Sequence, residues 1–268
     1  MCILKKNFTL VALLIFVSPF VVADTFQSSV NMSYSQYDSG DIEGGGSWLG
    51  LTAYTDEVST SKGPLALASF LNKSSFIGAG YSFPGWSSGG LNSSNDDSYS
   101  LSGGYVTEQD IVLNASYSSY GSGSGHSLAV GKYLDEQAVV SVAFSGSDEK
   151  TIGGMNASIF GLTELMSDKK VSYGFGVSHV DDDDFNLGLS ANSTYYINNR
   201  LGIGGGLGYR YTESFDVITT GVQVGYFLNS SVKVSTGLSF SKVNVDDDVL
   251  LIGANTSRSG FVGVGARF

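Results

Sequence analysis

Along nearly the whole chain, apolar residues alternate with small polar ones at a period of two. In 170–180, Val171, Tyr173, Phe175 and Val177 alternate with Ser172, Gly174, Gly176 and Ser178. In 199–212, Leu201, Ile203, Leu207, Tyr209 and Tyr211 alternate with Gly202, Gly204, Gly206, Gly208 and Arg210. In 231–243, Val232, Val234, Leu238 and Phe240 alternate with Lys233, Ser235, Gly237, Ser239 and Ser241. Successive side chains of a strand point to opposite faces, so each stretch predicts a strand with one apolar and one small, polar face. Similar stretches begin near Phe26, Trp48, Ser75, Ser98, Asp110, Ser127, Ala138, Met155, Phe185 and Asp216. Glycine fills 36 of 268 positions, and each would weaken a helix by about 1 kcal/mol.

Two architectures alternate in this way. A soluble sandwich buries the apolar face and dresses the other with Lys, Glu and Thr. Here the other face is Gly, Ser and Asn, which suits a narrow, wet interior. The apolar face is Val, Leu, Ile and Ala, with aromatics near the strand ends. They are Tyr34, Tyr37, Tyr81, Phe83, Tyr117, Tyr195, Tyr196, Tyr209, Tyr211 and Tyr226. Such positions suit aromatic girdles at two membrane interfaces. Beyond residue 23 no apolar run is long enough for a membrane helix. The pattern predicts an all-β fold, a transmembrane antiparallel up-and-down β-barrel of about 14 strands, within 12–16. Val249 to Ile252 does not alternate.

The first 23 residues read differently. Lys5 and Lys6 precede an apolar run from Phe8 to Val22, and Val21-Val22-Ala23 offers a cleavage site before Asp24. This predicts a secretory signal peptide over 1–23 and a barrel over 24–268. Cys2, the single cysteine, lies in the predicted leader, so the exported part carries no thiol. Removing 1–23 takes two of the 14 Lys+Arg and none of the 25 Asp+Glu, so the net charge moves from -11 to -13. A nucleic-acid partner needs a basic face and is excluded. The acids cluster between alternating segments: Asp38, Asp41 and Glu43; Asp96 and Asp97; Asp148 and Glu149; Asp181 to Asp184; Asp246 to Asp248. Some connections are very short, as at 107–110, 198–199 and 229–230. Others, at 38–47, 84–97 and 121–125, read as longer loops. Short turns belong in the periplasm and longer loops outside, so the acidic clusters are expected on the cell surface.

The last nine residues read Gly260-Phe261-Val262-Gly263-Val264-Gly265-Ala266-Arg267-Phe268, with Val262, Val264, Ala266 and Phe268 on one face. This resembles the terminal strand of Gram-negative outer-membrane β-barrels. The resemblance implies recognition of those four residues by the barrel assembly machinery. It also implies residence in the bacterial outer membrane, among its lipid and lipopolysaccharide. A second motif, LTAYTDEVSTSKGPLALASFLNKSS over 51–75, resembles the periplasmic connection of the putative general bacterial porins. Gly63, Pro64, Leu65, Ala66, Ala68, Phe70, Leu71, Asn72 and Lys73 carry the match. Of the two adjacent aromatics usual before the turn, only Tyr54 is present. Leu67 and Leu71, four apart, fit one helical turn under the barrel rim; an extended linker fits as well.

Catalysis has little to work with. His126 and His179 are the two histidines, His126 beside Ser127 and His179 two residues before Asp181, and neither belongs to a recognisable triad. The aspartate run at 181–184 lacks ordered metal-ligand spacing. No cofactor, no metal and no enzymatic activity are expected. The reading is a porin-like channel for passive diffusion of small hydrophilic solutes. Its pore lining is expected to include Gln27, Asn31, Asn114, Asn186, Arg200, Arg210, Lys233 and Arg267. Arg200, Lys233 and Arg267 are expected to form a basic patch at the inner mouth, below acidic outer loops. The alternative is a non-conducting barrel acting as an adhesin or structural protein, which longer loops would favour.

Overall fold

Period-two alternation leaves a strand with an unpaired edge, and this chain removes the edge by closing on itself. The computed structural model describes residues 24–40, 42–88, 97–121, 123–166, 169–181, 185–245 and 256–268. Among them run β1 (Thr25–Ser39), β2 (Ile42–Ser59), β3 (Phe76–Ser88), β4 (Ser98–Val106), β5 (Ile111–Tyr120), β6 (Gly123–Tyr133) and β7 (Ala138–Ser147). There follow β8 (Gly154–Met166), β9 (Lys169–Asp181), β10 (Phe185–Tyr196), β11 (Leu201–Thr212), β12 (Phe215–Phe227), β13 (Val232–Val245) and β14 (Thr256–Arg267). Each strand pairs antiparallel with its neighbours in sequence, and β1 closes on β14 from Ser29 opposite Arg267 to Asp38 opposite Arg258. Fourteen strands match the expected number. Closure pairs the backbone of both terminal strands, which a membrane interior demands.

The two faces behave as the alternation requires. Outward side chains are large, apolar and unusually bare: Ile77 is 67% exposed, Leu128 62% and Val262 60%. A surface apolar on every side needs lipid against it. Inward positions are stitched by hydroxyl pairs in direct register, Ser116 with Ser127, Ser141 with Ser158, Thr219 with Ser241 and Ser239 with Ser259, at 2.7–2.9 Å. Some inward glycines accommodate a side chain from the adjacent strand. A Cβ on Gly174 would come within 2.8 Å of the Asn192 amide, which lies over it.

We label the barrel end that holds Thr25 and Arg267 the inner end, and the opposite one the outer end, after the expected orientation. Four turns of the inner end share one construction. The N–H of Thr107, Leu134, Ile197 and Leu228 donates to the carbonyl four residues on, at 2.8–2.9 Å. A side-chain oxygen of Thr107, Asp135, Asn198 or Asn229 then accepts a backbone N–H within the same turn. At the outer end the segments 38–47 and 121–125, expected as loops, are mostly strand: β1 runs to Ser39, β2 starts at Ile42 and β6 starts at Gly123. Gly44 can stay in the ladder because the Tyr37 ring lies across it. Much of 84–97, and the non-alternating 249–252, lies outside the described residues.

Candidate functional site

The 60–75 connection is the long one at the inner end. Its sequence, Ser-Lys-Gly-Pro-Leu-Ala-Leu-Ala-Ser-Phe-Leu-Asn-Lys, folds as a 3-10 turn at Leu65–Leu67 followed by a helix, α1 (Ala68–Leu71). Asn72 closes the helix: its amide Nδ2 donates to Ala68 O at 2.7 Å and Ser59 O at 2.8 Å. Lys73 then reverses the chain with φ 51, a left-handed conformation that costs a side chain roughly 1–2 kcal/mol.

The segment lies inside the mouth, not under its rim. Ala68 packs on Phe26 and Val58 of β1 and β2. Leu71 packs on Leu162 of β8 and Tyr196 of β10, joined by Leu67 and Phe70. The Phe70 ring meets Phe160 edge-on at 4.9 Å and Tyr133 at 5.4 Å. Tyr133 Oη donates to Phe70 O at 3.1 Å, and Leu65 N–H donates to Asn199 O at 2.8 Å. Lys73 Nζ bonds Asp110 Oδ1 at 2.7 Å and lies 5.1 Å from the Tyr133 ring centroid. Asp110 is itself left-handed, φ 66. A plug leaving the wall at β2 thus reaches the opposite wall at β8 and β10. None of these contacts falls on β12, β13 or β14.

Sequence reasoning missed the seat for this plug. Tyr133 and Tyr196, which the plug touches, and Phe227, which it does not, each end an even-numbered strand on the inward parity, where an alternation of Gly, Ser and Asn would continue. That break of parity, at the inner end of three even-numbered strands, is the signal that marks the apolar mouth. Tyr196 does not join Tyr195 in an outer girdle: adjacent strand residues face opposite ways, so only Tyr195 points out. Tyr37 likewise has the inward parity of Ser33 and Ser35.

The expected lining residues are placed as follows. Asn31 lies over Gly265 and Asn114 over Gly104, both inward. Asn186 stands between Val180 and Thr212 near the outer end, and its carbonyl meets His179 Nδ1 at 2.9 Å. Arg210, exposed, has inward parity two residues from the outer end of β11. Gln27 departs from expectation. The N–H groups of Gln27 and Ser28 both donate to Phe268 O, at 2.7 and 3.0 Å, a β-bulge that turns Phe26 inward and leaves Gln27 exposed. Arg200, expected in the basic patch, lies exposed in the β10–β11 turn, its Nη1 3.5 Å from Leu228 O of the next turn, and does not stack on Phe227 with Lys233 and Arg267. Lys233 and Arg267 do come together, on neighbouring strands and over the same Phe227 ring, at 6.0 and 4.6 Å. On the outside of β14, Val262 is exposed and Ala266 buried, with Val264 between them; Phe268 N–H donates to Ser28 O at 2.9 Å. His126 Nε2 contacts Thr151 O at 3.0 Å, so each histidine ring meets a backbone carbonyl near the outer end.

The sequence matches the model of a family described as putative general bacterial porin over residues 5–190. The fold is similar to the Acinetobacter baumannii outer membrane protein Omp33, at 19% identity, 91% of this chain, 99% of that chain and TM-score 0.66. It is also similar to a bacterial polysaccharide outer membrane secretin, at 11% identity, 90% and 98% coverage and TM-score 0.50. No curated protein matches the chain.

Proposed function

Because the chain belongs to the putative general bacterial porin family, and so is an outer-membrane β-barrel of porin type, we propose that small hydrophilic solutes diffuse passively through it. The observation that carries this reading is the pairing of a lipid-fitted exterior with an interior of Gly, Ser and Asn inside a closed ladder. Asn31, Asn114, Asn186, Arg210, Lys233 and Arg267 line the path, and the plug narrows it at the inner mouth. The barrel acts as a channel, without catalysis. Residues 1–23, outside the described residues, serve as the export signal. Phe268 with Val262, Val264 and Ala266 is read by the assembly machinery, and lipopolysaccharide surrounds the outer half.

The plug also favours a second reading, a barrel closed until 60–75 moves. Planar-bilayer conductance of the purified protein separates the two. Stable single-channel steps in potassium chloride support the open channel. A silent wild type that conducts once 65–71 is replaced by a Gly/Ser linker supports the closed barrel. Silence in both defeats the channel and leaves the structural or adhesive role.

A further inference from the structure

At the inner end, Lys73 of the plug and Lys170 of β9 are neutralised. Lys73 pairs with Asp110, and Lys170 with Glu164 at 3.5 Å. Lys233 and Arg267 are the exception. Among the described residues neither has a carboxylate within 4 Å. Asp56, on β2 beyond β1, is bonded instead by Thr55 Oγ1 at 2.9 Å. The Arg267 guanidinium is sandwiched between the Phe26 and Phe227 rings, 4.6 Å from each centroid, and its Nη1 is shielded from solvent without a hydrogen-bond partner. The rings satisfy the faces of the cation. They leave the in-plane N–H groups unsatisfied, and those are the groups that bond oxyanions.

Lys233 lies along Gly225 of β12, where an added Cβ would come 3.2 Å from Cε. Asn31 lies along Gly265 in the same way. Side chains lie flat over glycine on this wall; its β12–β14 part carries no plug anchor, and Phe26 of β1 is shared between Arg267 and Ala68 of the plug. Two like charges over one aromatic ring, partly withdrawn from water, repel each other unless an anion joins them.

We propose that Lys233 and Arg267 form a binding site for a small oxyanion, the carboxylate or phosphate group of a solute passing the inner mouth beside the plug. The chemistry is that of a charge-assisted contact, with the Arg267 in-plane N–H and the Lys233 ammonium donating to the anion's oxygens. Asn31 and Ser29, next to Arg267 on β1, offer neutral donors on the same wall. The role in permeation rests on the proposed channel function; the binding itself does not.

The test uses the full barrel in a sugar-headed detergent, with inorganic phosphate as probe and acetate as competitor. Binding is read from broadening of the phosphate 31P resonance, which detects weak exchange. The wild type should broaden the line, acetate should reverse it, and Lys233→Gln should lower the excess width at least fivefold while Lys233→Arg retains it. Arg267→Gln should act likewise. If that variant does not fold because Arg267 bridges the β1–β14 seam, Lys233→Gln carries the test, its ammonium lying outside the Phe26–Phe227 sandwich. No broadening by the wild type, or equal broadening by folded Lys233→Gln, overturns the site. Bilayer conductance is scored separately. A silent barrel that binds phosphate defeats the channel and keeps the site; a conducting barrel that does not bind it does the reverse.

Discussion

The two mouths of this barrel are built on opposite principles. The outer end is acidic. Among the described residues, Asp38, Glu43, Asp97, Asp148, Glu149, Asp181, Glu213 and Asp216 stand there against Lys150, Arg210, Lys242 and Arg258. Its acids are tied to the strands beneath: Tyr81 Oη donates to Asp97, and Ser124 N–H donates to Asp148 at 2.7 Å. The inner end is largely apolar where it faces inward, closed by Phe26, Tyr133, Leu162 and Tyr196 against the plug, with ion pairs at the edges and Lys233 and Arg267 over Phe227 on the far wall. Water and counterions screen the outer acids, so changes there act mainly on which ions approach. The inner mouth is a small hydrophobic core, so changes there act on packing and on whether the mouth is open. One barrel thus sets screened surface charge at one mouth against a packed constriction, with the Lys233 and Arg267 cations beside it, at the other.

Replacing 65–71 by a Gly/Ser linker should alter function most. Single-channel conductance should rise severalfold, and an unchanged conductance would show that the constriction lies elsewhere. The largest loss of stability is expected at the plug's end of the wall. Phe227, 1% exposed, should cost about 3–5 kcal/mol on conversion to alanine, measured by urea unfolding in lipid. Next comes the lipid face. Phe175→Arg should cost about 2–4 kcal/mol near the midplane. Gly176→Ser, on the inward face, should cost less, because the one crowded contact of the added Cβ is the Ser190 hydroxyl, at 2.8 Å, which can rotate away, while Asn156 Nδ2 and Ala157 O lie at ordinary contact distance; equal costs would reject the face assignment.

The clasp should give a smaller effect. Asp110→Asn removes the partner of Lys73 while keeping a residue that tolerates a left-handed φ. The pair is partly exposed, with side chains 25% and 40% accessible, so the change should be about 1 kcal/mol or less. Single-channel records should then show up to about fivefold more open time, and a matching Asp148→Asn should leave open time alone. That outer substitution should have the least effect, a small shift of reversal potential towards anions in a salt gradient. A larger shift than in Lys233→Gln would reverse the assignment of selectivity between the mouths.

The alternation is enough to read the barrel, its strand number and the face of nearly every strand residue, because side-chain direction in a strand depends only on counting along the chain. The same counting puts Lys233 and Arg267 on one wall, where the fold also has them. It fails where the count is broken or does not apply. The bulge at Gln27 and Ser28 adds a residue that only pairing with Phe268 reveals, and Arg200 belongs to a turn, where period two carries no information. The residues that seat the plug are visible as aromatics in polar positions, yet their meaning stays hidden. Leu67 and Leu71 show a helical turn but not what it packs against.

Local sequence therefore determined the elements and their faces, since sterics and backbone geometry act between near neighbours. Tertiary structure alone decided that β1 meets β14 and that 60–75 folds into the mouth. It also decided that Lys233 and Arg267 share the Phe227 ring with no acid beside them. These are contacts between residues far apart in the chain, set by the closure of the ladder, and no periodicity along the sequence encodes where a closed curve returns.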